Sequence, residues 1–317
     1  MTDSIESLIT RLNDLSVIEI TGSDAASFLH GQLTHDITGL GTESARLAGY
    51  CTAKGRLLGS LVVWRGVAAD TLYALAKTDI APALVKRLSM FVLRAKVKLS
   101  LTDMPVYGVA LPQGHTGPAL DGLAPSELPT AAPPYTTLHS SAAAWIAAPS
   151  ADPQISRWWL VQTSESPQSL PAGADASSWQ AADIAVGLPW VVAATQDTFI
   201  PQTLNLDLID GVSFTKGCYP GQEVVARSHY RGTVKRRMAY GVAASAEPAA
   251  QLAGVDIYDA AKPDSPCGRV VNAAAAGGSI HLLLEIQLAD LDTADFRLTT
   301  ADGARIAIQA LPYAIAA

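Results

Sequence analysis

The longest strongly apolar stretches of this chain, such as Leu57 to Trp64, are the length of one β-strand. A helix that crosses a bilayer needs about 20 consecutive apolar residues, so no membrane span is expected. The chain must instead build its interior from many short elements. It has the material to do so. Of 317 residues, 49% are hydrophobic, which supports a large core and suggests two or three domains. Only 16% are charged, which argues against extended disorder. The net charge of −7 disfavours general binding to nucleic acid or a membrane surface, so any basic site must be local. Met-Thr-Asp-Ser-Ile-Glu at the start has no basic leader followed by an apolar run. No signal peptide is visible, and a cytoplasmic protein is the expectation.

The elements are mixed. Val17-Ile18-Glu19-Ile20 alternates like a strand, and Ser23 or Asp24 can cap a following helix. Leu29, Leu33 and Ile37 recur four apart, predicting a helix stripe closed near Gly39 and Gly41. Two strands, Leu57 to Trp64 and Thr71 to Ala76, flank a turn. A stripe of Ile80, Leu84, Leu88 and Phe91 predicts a helix with Asp79 as its cap and Pro82 in the first turn. Arg94 to Leu101 alternates as a half-buried strand. The Gly- and Pro-rich stretch 112–134 reads as a loop or linker. The Ala-rich sequence up to Pro153 fits either a helix or more loop. Trp158 to Thr163 predicts a strand, and Asp175 to Val186 a helix closed by Gly187 and Pro189. After Val234, short β-like runs (Met238–Ala243, Gly268–Ala273, Ile280–Ile286, Arg305–Leu311) predict a small C-terminal β-barrel. Without a regular βαβ rhythm, the class is α+β.

Three cysteines, Cys51, Cys218 and Cys267, form no CxxC pair. That excludes a zinc ribbon and favours reduced thiols. Cys218 stands apart. It lies in Lys216-Gly217-Cys218-Tyr219-Pro220-Gly221-Gln222-Glu223, where two glycines and a proline predict a tight turn. Gln222 onward predicts a helix with Glu223 near its N-terminus. From Phe214 to Met238 there are six basic residues, Lys216, Arg227, Arg231, Lys235, Arg236 and Arg237, against the single acid Glu223. Such a cluster in an acidic chain suggests an anionic ligand. Neighbouring cations favour a thiolate, which can attack an electrophile, ligate a soft metal or carry sulfur. The bland alternative is a small buried hydrophobe, and Lys235-Arg236-Arg237 can equally be the solvated side of a strand. His30 and His35, five apart, do not share a helix face, so no metal site is expected. His229 reads as a loop histidine.

The octapeptide, with the Val-Ala-Arg that follows it and a later Arg-Gly and Lys-Arg, resembles the signature of the YgfZ proteins. These sit within the wider glycine-cleavage T-protein (aminomethyltransferase) superfamily. Phe28-Leu29-His30-Gly31-Gln32-Leu33-Thr34-His35-Asp36-Ile37, Ala53-Lys54-Gly55-Arg56, Phe199-Ile200-Pro201-Gln202, Asn205-Leu206 and Leu311-Pro312-Tyr313 are similar to further family elements. The resemblance spans nearly the whole chain. It implies a three-domain α+β ring that binds tetrahydrofolate or a derivative in its central channel, with 1–233 as the folate-binding region of two intertwined subdomains and 234–317 as the barrel. It also implies a role in making or repairing iron–sulfur enzymes, tRNA methylthiotransferases among them.

By the same resemblance, Cys218 is the working residue. Folate contacts fall to Trp179, Leu15, Lys216, Tyr219, Gln222, Glu223 and Arg227. Leu15 stands where the family has a tryptophan, so stacking is lost there. Trp179 can equally fill core. Arg227 offers a fork suited to a folate carboxylate. In the aminomethyltransferases a catalytic aspartate follows the Ala-Lys-Gly turn; here Gly55-Arg56-Leu57-Leu58-Gly59-Ser60-Leu61 has no carboxylate, and aminomethyl transfer loses its electrostatic partner. Asp-Phe of that family is replaced by Cys218-Tyr219. The expectation is a folate-dependent accessory protein. The alternatives are a folate-dependent aminomethyl- or demethyl-transferase, and an RNA-binding module using residues 216–237.

Overall fold

A computed structural model describes residues 9–112, 120, 123, 128–129, 132–163, 169–170, 173, 175–230, 234–245 and 247–315. The first sheet contains β2 (Leu15–Thr21), β3 (Ala45–Cys51), β4 (Leu57–Arg65), β5 (Thr71–Lys77) and β6 (Lys98–Leu101), in the order β3-β4-β5-β2-β6. The second contains β1 (Ile9–Arg11), β7 (Val106–Pro112), β8 (Thr137–His139), β9 (Ala143–Ala148) and β10 (Ile155–Gln162), in the order β1-β7-β10-β9-β8. From β1 in the second sheet the chain crosses at once to β2 in the first. The third sheet follows the order β15-β12-β13-β14-β11-β16, from β11 (Arg236–Ala243), β12 (Asp256–Asp259), β13 (Lys262–Ala276), β14 (Ser279–Gln287), β15 (Phe296–Leu298) and β16 (Ile306–Gln309). Its edges meet through an antiparallel bridge between Arg297 and Arg305. Its own core, including Ala239, Val270, Leu284, Phe296 and Ile306, is drawn entirely from this segment.

Among the described residues four α-helices dress the sheets: α1 (Ala25–His30), α2 (Ala81–Ser89), α3 (Ala176–Ala185) and α4 (Gln222–Tyr230). The helix predicted from Asp175 to Val186 forms as α3, with a cap that the sequence analysis did not name. The Asp175 side chain accepts from the Ser177 amide at 3.0 Å, and Gly187, with φ +70°, turns the chain away. The predicted α1 stripe does not extend as a helix. Leu29, Leu33 and Ile37 are all buried, but the helix stops at His30. Leu33 then bridges to Tyr50, and the Thr34 amide donates to the Gly49 carbonyl. Tertiary pairing outcompetes the four-residue period. Neither predicted acidic cap forms. The Asp24 carboxylate accepts from the Lys96 amide, and that of Asp79 accepts from the Ala193 amide. Phe91 lies beyond α2 and is 47% exposed, and β6 keeps only the last four residues of the predicted alternation. The Ala-rich segment is strand. All six residues of β9 are buried between β8 and β10, where burial overrides alanine's helix preference. Most of 112–134 lies outside the described residues. Within it, Leu123 accepts from the Trp145 indole N–H at 2.7 Å.

Candidate functional site: the cysteine turn and the cleft between sheets

Residues 216–221 form the predicted turn, and α4 follows it. The turn rests back to back on the Thr52–Arg56 turn between β3 and β4. Gly55 and Gly221 have φ of +74° and +80°. A Cβ on Gly221 would stand 2.4 Å from the Thr52 carbonyl oxygen and 2.6 Å from the Gly55 Cα. Two glycines are therefore required for the two turns to touch. The Lys216 ammonium donates to the carbonyls of His30 at 2.6 Å and Leu33 at 3.0 Å, satisfying acceptors at the end of α1. It also lies 4.6 Å from the centre of the Tyr219 ring, a cation–π contact. Burial pulls its pKa down to about 8. Tyr219 is buried, and desolvation raises its phenol pKa.

These anchors leave Cys218 exposed. The other thiols are held protonated by burial, Cys51 up to about 12 and Cys267 up to about 11. Of the three sulfurs, Cys218 is the one open to a partner.

The basic segment is not one patch. The Arg237 guanidinium, almost fully buried, pairs with Asp207 at 2.6 Å and donates to the Gln202 carbonyl. Arg236 makes a forked pair with Glu285. Arg227 reaches back to Glu223 at 2.7 Å on the exposed face of α4. Lys216 is engaged as above, and Arg231 lies outside the described residues. Four of the six cations, Lys216, Arg227, Arg236 and Arg237, thus have partners within the protein, while Lys235 is exposed. His229 belongs to α4 rather than to a loop, and stacks on Phe214 with ring centres 3.7 Å apart. Gln222 opens α4, half-buried.

Sequence reasoning missed the neighbour on the other side of the turn. The His30 Nδ1 lies 2.8 Å from the Asp36 carboxylate. Asp36 also accepts from the Thr38 hydroxyl and amide and from the Gly39 amide. The Thr38 hydroxyl bond leads the interactions that lower its pKa to about 2. The His30 Nε2 looks at Gly217, 3.5 Å from where a Cβ there would stand. The His-x5-Asp spacing was visible, but only the fold puts it beside residue 217.

Trp179 and Leu15 lie elsewhere. Leu15 is buried in the main core. Trp179 is buried beneath the Arg157 guanidinium, 4.0 Å from its ring, and against Gly108, where a Cβ would come within 2.4 Å of the indole. Their sequence neighbours Asp14 and Gln180, joined by a 2.8 Å hydrogen bond, line a cleft of about 590 Å³ between β5 of the first sheet, α3 and β13 of the third. Trp190, Lys77, Asp183 and Asn272 complete its polar and aromatic wall. The Trp190 indole donates to Asp183 at 2.9 Å, and the Lys77 ammonium lies 5.5 Å from its ring centre. Cys218 is not among the residues lining this cleft.

Three antiparallel sheets joined in this way define the aminomethyltransferase fold. The glycine cleavage system aminomethyltransferase T from Bartonella henselae matches 96% of this chain and 85% of its own, with a TM-score of 0.70. At 13% identity, that likeness is one of fold. Within that class the chain belongs to the YgfZ family. The tRNA-modifying protein YgfZ of Yersinia pseudotuberculosis (serotype O:1b) and that of Yersinia pestis (strain Pestoides F) are each 33% identical to it, over 96% of this chain and 92% of theirs. An uncharacterized protein of Haemophilus influenzae is 32% identical over 72% of this chain and 70% of its length. No family model matches the chain.

Proposed function

We propose that this chain is a cytoplasmic, folate-binding accessory protein for the synthesis or repair of iron–sulfur enzymes, including those that methylthiolate tRNA, and that Cys218 is its essential thiol. The observation that carries this reading is the exposed sulfur on a turn pinned at three points: Lys216 to two carbonyls, Tyr219 in the core, Gly221 against Gly55. A thiol presented in that way suits transfer of sulfur, iron or a one-carbon unit rather than core filling. The name of the Yersinia relatives supports the connection to tRNA modification.

Tetrahydrofolate, or a derivative, fits the cleft between the sheets. Its volume lies within the usual range for small-molecule sites, about 300–1,000 Å³. Trp190 offers an aromatic edge for the pterin, and Asp14 and Asp183 offer acceptors for its N–H groups. Lys77 is the cation nearest to hand for a glutamate tail, although Asp14 already pairs with it. In the same reading the three sheets form a ring, with 1–233 as the folate-binding region and 234–317 as a closed barrel.

Aminomethyl transfer is the less favoured alternative. Ser60, in the strand where the transferases carry an aspartate, is buried, and its hydroxyl accepts from the Val191 amide at 2.9 Å. It leaves no carboxylate for a folate amine. An RNA-binding role for 216–237 is weakened by the internal pairing of Arg236 and Arg237.

The test has two arms. Titration with tetrahydrofolate should quench tryptophan fluorescence in the native protein, and Trp190→Phe should remove most of that quench while Trp179→Phe retains it. Absence of any saturable binding refutes the folate assignment. Cys218→Ala should bind folate normally yet fail to support tRNA methylthiolation in cells lacking the native protein. Full rescue by that variant refutes the role of the thiol.

A further inference from the structure

The His30 imidazole is held at one nitrogen and free at the other. Asp36 is anchored by Thr38 and Gly39 and keeps its charge well into acid. A carboxylate can only accept, so Nδ1 must carry the proton in the neutral ring. The lone pair then sits on Nε2. That atom makes no hydrogen bond among the described residues and faces Gly217, the residue before Cys218. The same two segments are clasped a second time, because the Lys216 ammonium donates to the His30 carbonyl. The imidazole is therefore fixed relative to the cysteine turn both through its ring and through its backbone.

We propose that His30, oriented by Asp36, is the acid–base partner of the Cys218 thiol. The S–H bond breaks, its electron pair stays on sulfur, and the proton passes to Nε2. The product is a thiolate beside an imidazolium whose charge faces Asp36. The proton returns when the sulfur is released from its electrophile. No hydrogen bond joins ring and thiol in the resting structure. The ring meets the cysteine turn at Gly217, the residue before Cys218, and catalytic pairs often close their hydrogen bond only when a substrate arrives. The charged and titratable groups placed beside His30 are Asp36, at Nδ1, and Lys216, at its carbonyl, with the Thr38 hydroxyl 3.5 Å from Nδ1; Cys218 follows Gly217, which Nε2 faces. Lys216 lies over Tyr219 and holds backbone oxygens, so it biases the sulfur electrostatically but is not placed to take its proton. His229, stacked on Phe214, is occupied elsewhere.

This inference rests on Cys218 being the working thiol. Its test uses neither folate nor cells, so it can fail while that reading stands. The rate at which iodoacetamide alkylates Cys218 would be followed by peptide mass spectrometry from pH 5.5 to 9.5, with the buried Cys51 as an internal control. At pH 6.5 the native protein should react about tenfold faster than His30→Gln. The gap should close above pH 9, where an ordinary thiol with a pKa of about 8.5 ionises unaided. Asp36→Asn should fall between the two. A reciprocal measurement covers the chance that either variant misfolds. In Cys218→Ser the titration midpoint of the His30 ring, read by NMR, should move by at least about 0.5 pH unit, because coupling between two sites acts both ways. Overlapping alkylation profiles for native and folded His30→Gln, or an unmoved His30 midpoint in Cys218→Ser, would overturn the pairing.

Discussion

Asp183→Asn should be among the most damaging single-atom-scale changes this protein can suffer. Asp183 is 3% exposed and uses both oxygens. Oδ1 accepts from the Arg157 guanidinium at 2.6 Å and Oδ2 from the Trp190 indole at 2.9 Å. Asparagine keeps the shape but has one oxygen and one NH2. Whichever way it is turned, one of the two donors meets another donor. The Arg157 charge, itself 4% exposed, also loses its counterion, keeping the Pro149 and Trp179 carbonyls and the Trp179 ring. Breaking a buried pair from one side costs about 3–5 kcal/mol. With about 2.1 cal/mol/K of unfolding entropy per residue over this chain length, that corresponds to a fall in Tm of about 4–8 °C. Differential scanning calorimetry of the native protein, Asp183→Asn, Arg157→Met and the double variant would check it. The double variant should be less destabilised than the sum of the singles by at least about 1 kcal/mol, since the stranded charge is gone. A fall in Tm under about 1.5 °C for Asp183→Asn, or strict additivity, would refute the argument.

Gly221→Ala forces a side chain onto a backbone with φ of +80° and into the Thr52 carbonyl. It should cost at least about 2 kcal/mol in urea unfolding and increase amide exchange across 216–224. Lys216 is held down to about 8 by desolvation, so between that value and about 10.5 the unfolded chain binds more protons than the folded one. The stability of the native protein relative to Lys216→Met should therefore rise as pH increases from 8 to 10, in urea melts at fixed ionic strength. A flat difference would contradict it. Gln202→Leu removes the 2.6 Å bond from Nε2 to the Val225 carbonyl of α4 and strands a buried acceptor, at about 1–3 kcal/mol. Hydrogen exchange should quicken in α4 and leave the third sheet unchanged.

Much of the scaffold was legible because it depends on local pattern. The alternation from Val17 to Ile20, the apolar runs of β4 and β5, and the closing Gly187 and Pro189 of α3 each declare their element within ten residues. The failures share a different cause. Leu29, Leu33 and Ile37 carry a helical period yet serve three separate contacts. The β9 alanines have a helix former's composition but are shaped by the tryptophans of β10 beside them. At the candidate site, the turn and the exposure of Cys218 followed from Gly217, Pro220 and Gly221. The fate of the cations did not, because Asp207 and Glu285, which neutralise Arg237 and Arg236, are 30 and 49 residues away in sequence. Trp190, His30 and Lys77 likewise acquire meaning only from partners brought in by folding.

The cleft and the cysteine turn are lined by different elements, yet one segment touches both. Leu188 to Ala194 lines the cleft. Directly afterwards the Gln196 side-chain Nε2 donates to the Leu58 carbonyl at 2.6 Å, the Asp197 and Thr198 carbonyls accept from Arg56, and the Phe199 carbonyl accepts from the Leu57 amide. Arg56 belongs to the turn on which Gly221 rests. Three residues further, Gln202 holds α4. These bonds form a continuous physical path from the wall that Trp190 builds to the helix that follows Cys218. Ala194 is only two residues from Gln196, where the bonds to the strand behind the Thr52–Arg56 turn begin, and it is on that turn that Gly221 rests. Under the folate reading proposed above, a ligand in the cleft would influence the thiol along this path by favouring one of two arrangements of Leu188 to Ala194, without touching the sulfur.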